Sequence, residues 1–325
     1  MSALAQRFAV DKSSFPGPVL VTGAGGCIGS WVLSLLSRSG VPAVAFDLSE
    51  DKRRPRLLIE EKDLAKIVWR TGDISDSKAV MQVVESVRPC AIIHLAALQV
   101  PFCKADPVLG ARVNVVGHVN VFEAARKRGV KRLVYASSIA ALPIEGGAYQ
   151  ANLYGVYKAA DEGIARIYAQ DWGVASVGLR PHTVYGPGRD QGLTSAPTKA
   201  MLAAAADKPY TVPFRGTLNF QYAGEVAEIF IRCAEAEVAA GHSDVYDLQG
   251  TKATVEAVVD RIRQVVPAAK ISVEGANLPF PADFDDRPLR KLIGSWPATA
   301  LDTGVERSIG MFRDLLKRGL VSADA

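Results

Sequence analysis

The stretch Val19-Leu20-Val21-Thr22-Gly23-Ala24-Gly25-Gly26-Cys27-Ile28-Gly29 runs from a short apolar segment through a glycine-rich turn into an apolar-faced helical pattern, Cys27–Ser37. Glycine lets a chain turn tightly, lets backbone amides approach a ligand closely, and lets a helix pack near a strand. A helix that begins in such a turn aims free N–H groups and the positive end of its dipole at one point, where a diphosphate is stabilised. Strand, turn and helix in this order predict a pyrophosphate site with Gly23, Gly26, Cys27, Ile28 and Gly29 around the anion.

Outward from this turn, short apolar runs alternate with longer amphipathic ones. Candidate strands are Ala43–Phe46, Ile67–Arg70, Ala91–Leu95, Leu133–Ala136, Ala175–Leu179 and Val245–Leu248, and helical patterns cover Lys78–Val87, Val113–Lys127 and Gly155–Gln170. Parallel neighbours cannot be joined by a tight hairpin, so this alternation predicts crossover helices over a parallel sheet. The fold class is α/β: a Rossmann-type doubly wound parallel sheet with a smaller C-terminal substrate-binding lobe. Past Arg180 the rhythm breaks, with Pro181, Pro187, Pro197, Pro209 and Pro213 punctuating the chain. Two further helical patterns, Val255–Val266 and Gly304–Leu315, flank a loop rich in proline and aspartate. The predicted organisation is a dinucleotide-binding domain over residues 1–185, with 219–249 returning to it, and a lobe made of 186–218 and 250–325.

Composition removes several classes of function. At 49% hydrophobic and 22% charged residues, the 325-residue chain has the balance of a globular protein with a full core. A net charge of +4, with basic residues scattered apart from Lys52-Arg53-Arg54 and Arg126-Lys127-Arg128, lacks the concentrated field of a nucleic-acid binder. Cys27, Cys90, Cys103 and Cys233 are far apart, which suggests neither a metal site nor a disulfide framework and fits a reducing compartment. Met1–Val10 carries Arg7 and no long apolar run, and no later stretch reaches the roughly 20 apolar residues of a membrane span. The expected location is the cytoplasm, with no membrane partner.

Asp47 closes the second candidate strand at the distance expected of an acid that binds the adenosine ribose diol. Its charge repels a 2′-phosphate, and Leu48 follows where an NADP enzyme often supplies arginine, so the expected cofactor is NAD, with Arg53 and Arg54 nearby keeping NADP open as the alternative. Gly72-Asp73-Ile74 after the third strand is placed to meet the adenine edge, and Leu95-Ala96-Ala97 after the fourth offers backbone and small side chains to the cofactor. His94, just before them, reads as a packed, hydrogen-bonded residue beside the site.

Tyr154 and Lys158 are four apart at the start of a helical pattern, so they share one face. A tyrosine that relays a proton must have its pKa brought down from about 10 towards neutrality, and a shift of about three units needs roughly 4 kcal/mol. An ammonium about 4 Å away supplies roughly that at an effective dielectric near 20, against only about 1 kcal/mol in bulk water. The pair therefore works only when shielded. Ser138, after the strand Leu133–Ala136, is the expected third member, donating to the same substrate oxygen.

These residues together resemble an extended short-chain dehydrogenase/reductase of the NAD-dependent epimerase/dehydratase family, over nearly the whole chain. The matching positions are Thr22-Gly23-x-x-Gly26-x-x-Gly29, Asp73, His94-x-Ala96-Ala97, Asn114-Val115-Val116-Gly117, Ser137-Ser138, Tyr154-Gly155-x-x-Lys158 and Arg180-Pro181-x-Thr183-Val184-Tyr185-Gly186-Pro187. The resemblance implies hydride transfer at a carbinol carbon, usually of a sugar, assisted by Ser138, Tyr154 and Lys158. It adds Asn114 and Pro181 to the cofactor surroundings and implies a homodimer through the helices Val113–Lys127 and Gly155–Gln170.

Departures from the family pattern bear on the substrate. Ile139-Ala140-Ala141 follow Ser138 where dehydratases tend to place Asp-Glu, which disfavours elimination of water. Leu218-Asn219 stand where many nucleotide-sugar members carry Arg-Asp, so one diphosphate anchor is missing. The segment between Ser138 and Tyr154 is short, and Tyr157 replaces a common serine. The expected substrate is a small sugar, sugar acid or related carbonyl compound, with Thr183, Arg189, Thr194, Ser195 and Arg287 as candidate contacts; Arg215 is a further possible anion anchor. The expected activity is an NAD-dependent dehydrogenase. The alternatives are a sugar or nucleotide-sugar epimerase, similar to UDP-glucose 4-epimerase, and a non-catalytic NAD-binding regulator.

Overall fold

Twelve strands are formed in the computed structural model, which describes Phe8 and residues 10–144, 147–296 and 298–322. They are β1 (Val19–Thr22), β2 (Ala43–Asp47), β3 (Val68–Thr71), β4 (Ala91–His94), β5 (Leu133–Ala136) and β6 (Ser176–Arg180), then β7 (Thr183–Tyr185), β8 (Tyr210–Val212), β9 (Thr217–Tyr222), β10 (Ser243–Asp247), β11 (Thr251–Thr254) and β12 (Ile271–Val273). The longer helices are α1 (Cys27–Arg38), α2 (Ser77–Val87), α3 (Gly117–Arg128), α4 (Leu153–Trp172), α5 (Ala196–Ala205), α6 (Ala223–Glu235), α7 (Val255–Val265) and α8 (Leu301–Lys317).

The central sheet has the order β10-β6-β5-β4-β1-β2-β3 with every pair parallel. The seven predicted strands are its seven members, each within two residues of the expected ends. Successive strand residues face opposite sides. Val19, Val21, Ala45, Ile93 and Val134 therefore enter one core layer beneath α1 and α6, while Leu20, Val44, Ile92, Leu133 and Tyr135 enter the other beneath α2, α3 and α4. Strands covered on both faces read as continuous apolar runs, as β1 and β4 do. β3, at the edge, buries only Trp69.

Helix ends follow local chemistry. Asp76 caps α2 by accepting from the amides of Lys78 and Ala79, and Gly129 ends α3 in a left-handed conformation. The basic run Arg126-Lys127-Arg128 forms the last turn of α3, where Arg126 and Lys127 pair with Glu123.

Beyond Arg180 the chain builds a second sheet, β11-β9-β7, and a parallel pair, β8 with β12. β7 and β9 run parallel with Thr183 beside Phe220, and β11 returns antiparallel to β9. The return to the main sheet begins with α6, packed on α1, and is completed by β10; Thr217–Tyr222 belongs to the smaller sheet. Strands of three or four residues carry too few positions to display a period, which is why β7, β8, β11 and β12 leave no trace in hydropathy.

Candidate active site

The order of the central sheet reverses between β1 and β4, and open α/β sheets bind ligands outside the strand ends at such a point. A cavity of ≈ 670 Å³ lies there. It is lined at one end by Gly23, Gly26, Cys27, Ile28 and Gly29, in the middle by Asp47, Asp73 and Ile74, and then by Leu95, Ala96 and Ala97. At the other end stand Ser138, Tyr154, Lys158, Pro181 and Thr183, with Arg189 and Thr194 facing them from the lobe.

Gly23 adopts φ +66°, and a Cβ on it would stand 2.6 Å from the Ala96 amide nitrogen, so any side chain would push β1 and β4 apart at the cavity floor. No side chain caps the first turn of α1, whose N-cap is Gly26. The carboxylate of Asp47 braces the turn: Oδ2 accepts from the Gly25 amide and Oδ1 from the Leu48 amide, each at 2.8 Å. Asp73 accepts from the Ser75 amide at 2.8 Å and still lines the cavity. Such a cradle of small residues, an uncapped helix start and an acid at the second strand end fits a dinucleotide. Gly23–Gly29 would hold the pyrophosphate and Asp47 the adenosine ribose.

At the opposite end, β5 and α4 assemble three polar side chains. Asn152 caps α4, its Oδ1 accepting from the Gly155 amide at 3.0 Å. A Cβ on Gly155 would overlap the Ala140 carbonyl, so glycine alone lets the start of α4, with Tyr154, lie on the turn that carries Ser138. The two serines of Ser137-Ser138 are then separated by their partners. Ser137 is buried and donates to Glu162, which is itself held by Arg180 at 2.8 and 2.6 Å. Ser138 is half-buried, and among the described residues its oxygen accepts from the Ala140 amide at 3.2 Å while its O–H meets no acceptor. Lys158 is buried and donates to the Ala136 carbonyl at 2.8 Å and to Asp161 at 3.1 Å.

Electrostatics keeps two neighbouring side chains out of the proton and nucleophile chemistry. Among the described residues His94 hydrogen-bonds through its ring to Thr22 at 2.7 Å, and burial, aided by the Lys158 charge, brings its pKa down to about 3, so it stays neutral and packed. Cys27 lines the cavity at a helix start, yet burial pushes its thiol up to about 11, away from nucleophilic use.

Several predicted contacts are not brought to the cavity. Asn114 sits behind the wall in a π-helical stretch, Arg112–Val116, and clasps Leu98 from both sides, accepting from its amide at 2.7 Å and donating to its carbonyl at 2.9 Å. It supports the Leu95–Leu98 segment without reaching the cofactor space. Ser195 is buried and donates to the Gly192 carbonyl at 2.7 Å. Arg287 points to solvent with Asp285, and Arg215 pairs with Glu256 at 2.5 Å outside the cavity.

Other lining residues are missing from the sequence-derived set. Gln99 and Gln191 face the same space, as do His182 and Phe280. His182 follows Pro181 within a motif already singled out, and Asn152 is a helix cap that the pattern before Tyr154 exposes. Phe280 comes from the Pro/Asp-rich loop, whose path no periodicity reveals.

A family model described as "NAD dependent epimerase/dehydratase family" matches residues 19–249. The chain is 28% identical over 317 residues to the UDP-glucose 4-epimerase of Mycolicibacterium smegmatis, covering 91% of this chain and 98% of that one. The fold is similar to that of the Thermus thermophilus UDP-glucose 4-epimerase in complex with NAD, with TM-score 0.77, 24% identity and coverage of 91% and 99%. It is equally similar to L-threonine dehydrogenase from Clostridium difficile, with TM-score 0.78, 20% identity and coverage of 94% and 99%. One scaffold thus serves both an epimerase and a dehydrogenase.

Proposed function

The chain belongs to the NAD dependent epimerase/dehydratase family, and we propose that it moves a hydride between NAD and a secondary carbinol carbon of a compact carbohydrate-like substrate. The observation that carries this reading is Ser138, Tyr154 and Lys158 converging on one end of the cavity whose other end is the glycine cradle. Tyr154 takes the hydroxyl proton, Lys158 stands one helical turn away as an ammonium ion, and Ser138 donates to the substrate oxygen as its C–O bond gains carbonyl character. NAD supplies the hydride acceptor. Arg189 supports an anionic group on the substrate: among the described residues its guanidinium meets the neutral Gln99 and Thr194, and its buried Nε has no hydrogen-bond partner. Asn219 supports a substrate without a diphosphate, because it is buried and bonded to Ala282, Gly250 and Gln221, and Leu218 beside it lies in the core.

Epimerisation is the second reading, favoured by the end-to-end likeness to a UDP-glucose 4-epimerase. A panel of sugars, sugar acids and nucleotide sugars with NAD or NADP separates the two. A dehydrogenase accumulates absorbance at 340 nm with turnover, and an epimerase interconverts substrates without it. Activity confined to UDP-sugars overturns the compact substrate, and a Tyr154→Phe variant with unaltered activity overturns the catalytic set.

The same reading includes a cytoplasmic homodimer. Val116 (44% exposed) just before α3, and Val156 (45%) and Ile167 (42%) on α4, leave apolar surface outward for a second copy. Light scattering on the eluting protein should give twice the chain mass of 34.7 kDa; a single-chain mass removes the dimer. Four free cysteines are consistent with a reducing compartment, and among the described residues no helix is long and apolar enough to cross a membrane.

A further inference from the structure

Behind the reacting centre lies a carboxylate that the proposed chemistry does not use. Asp161, one turn beyond Lys158 on α4, is 0% exposed, and its Oδ2 accepts from the Lys158 ammonium at 3.1 Å. Its other oxygen, Oδ1, is buried and has no hydrogen-bond partner among the described residues. A buried carboxylate of this kind is costly unless a charge answers it, and removing one member of such a pair leaves the other uncompensated.

The titratable groups around Lys158 come from four elements. Tyr154 and Asp161 share its helix, Cys103 approaches from the helix Val100–Ala105, His94 from the end of β4 and His118 from α3. Both histidines are buried and held neutral. The neighbouring carboxylate, Glu162, is already engaged by Arg180 and Ser137. Among the described residues, Asp161 is therefore the one carboxylate directed at the lysine.

We propose that Asp161 is a positioning residue for the Tyr154–Lys158 centre: its carboxylate keeps Lys158 an ammonium ion and fixes that ion against the Ala136 carbonyl at the end of β5. Burial alone drives a lysine towards the neutral amine, which would exert no field on Tyr154. At Lys158 burial is the largest influence and acts downward, but the charges of Asp161 and then Tyr154 outweigh it, and the ammonium is held above its ordinary range. This inference rests on the reading of Lys158 as the partner of Tyr154. It also explains why the carboxylate sits three residues on, since i and i+3 share a helix face.

The experiment needs no substrate. Protein carrying 13C at lysine Cε is titrated by NMR, with the Lys158 resonance identified by its absence from Lys158→Arg. In Asp161→Asn, which keeps the shape and an acceptor but loses the charge, Lys158 should release its proton at least one pH unit lower, a tenfold loss of proton affinity. An unchanged titration overturns the proposal. Should Asp161→Asn not fold, Lys158→Met is compared with Lys158→Met/Asp161→Asn. The double variant should melt higher than the single one, because the single variant buries a lone carboxylate; a double variant that melts lower overturns the proposal. Neither readout depends on catalysis, so a carbohydrate panel without turnover would count against the proposed activity and leave this result standing.

Discussion

Arg54 grips Asp190 across the mouth of the cavity, donating from Nε at 3.0 Å and from Nη2 at 2.7 Å, while its Nη1 donates to the carbonyl of Gly25 at 3.1 Å. One guanidinium thus ties the cofactor turn to the lobe segment between Gly186 and Gly192. A second tie, from Trp31 Nε1 to the Pro187 carbonyl at 3.0 Å, fixes the same segment to α1. These contacts close the lobe segment over the site where the pyrophosphate would lie. Arg54 is 16% exposed and Asp190 56%, so the ion pair is worth at most about 1 kcal/mol. Asp190→Ala should raise the rate of NADH release by up to about fivefold, read by stopped-flow fluorescence, and the wild-type rate should rise with salt. A release rate that ignores both changes would show that the clasp does not hold the cofactor.

Ser137 and Ser138 are neighbours with opposite duties, and substitution separates them. Ser138→Ala should lower kcat by about 10²-fold with NADH affinity unchanged, since a donor aimed at the reacting oxygen acts in the transition state. Ser137→Ala should leave kcat within a few-fold and cost about 1–3 kcal/mol of stability, because it strips a charge-assisted bond from Glu162 beside Arg180. Steady-state kinetics and thermal melts on the two variants measure both. The reverse pattern would exchange the assigned roles.

The glycine turn, the seven main strands and the Tyr-x-x-x-Lys helix were legible because each rests on local rules: a run of apolar residues, a cap, or a fixed helical spacing. The partition between Ser137 and Ser138 was not legible, since it depends on Glu162 and Arg180 meeting across two elements. Asn114 reads as a cofactor residue in the sequence, whereas its amide is spent on Leu98. Arg287 and Ser195 fail for a related reason. A polar residue in a loop gains function only from where the loop lies, and short strands such as β7 and β11 set that path without a periodic signal. α5 was hidden differently: Ala200, Met201, Ala203 and Ala204 are all buried, so the helix lacks the polar face that marks an amphipathic pattern.

Asp47 should govern cofactor choice. Its Oδ2 already accepts from Gly25, so the residue both braces the turn and repels a 2′-phosphate. Asp47→Ala should weaken NADH binding by about tenfold, equivalent to about 1.4 kcal/mol, and narrow the preference over NADPH. Arg53 is drawn aside by Asp51 at 2.6 Å and Arg54 by Asp190, so neither is free to reward the added phosphate. Fluorescence titrations with the two reduced cofactors provide the measurement. A clear switch to NADPH would mean that one of those arginines leaves its partner.

Stability should fall on the acid side through buried histidines. Burial lowers His94 to about 3 and His182 to about 4, the latter opposed by a bond to the Pro281 carbonyl, and burial also lowers His118 well below its ordinary value. An unfolded histidine takes up its proton near its ordinary value of about 6.5. Between that pH and the folded values the unfolded chain binds more protons, so stability is full above about 6.5 and is lost as pH falls below it. Each such histidine contributes a slope of up to about 1.4 kcal/mol per pH unit. His182 is the one to substitute, because it lines the cavity from the lobe and lies outside the pair of rings formed by His94 and His118. Denaturant melts of His182→Gln between pH 7 and pH 4.5 should show a shallower decline than wild type by about that amount. An equal decline in both proteins would mean that His182 is protonated in the folded state and that its contact with the Pro281 carbonyl is a charged one.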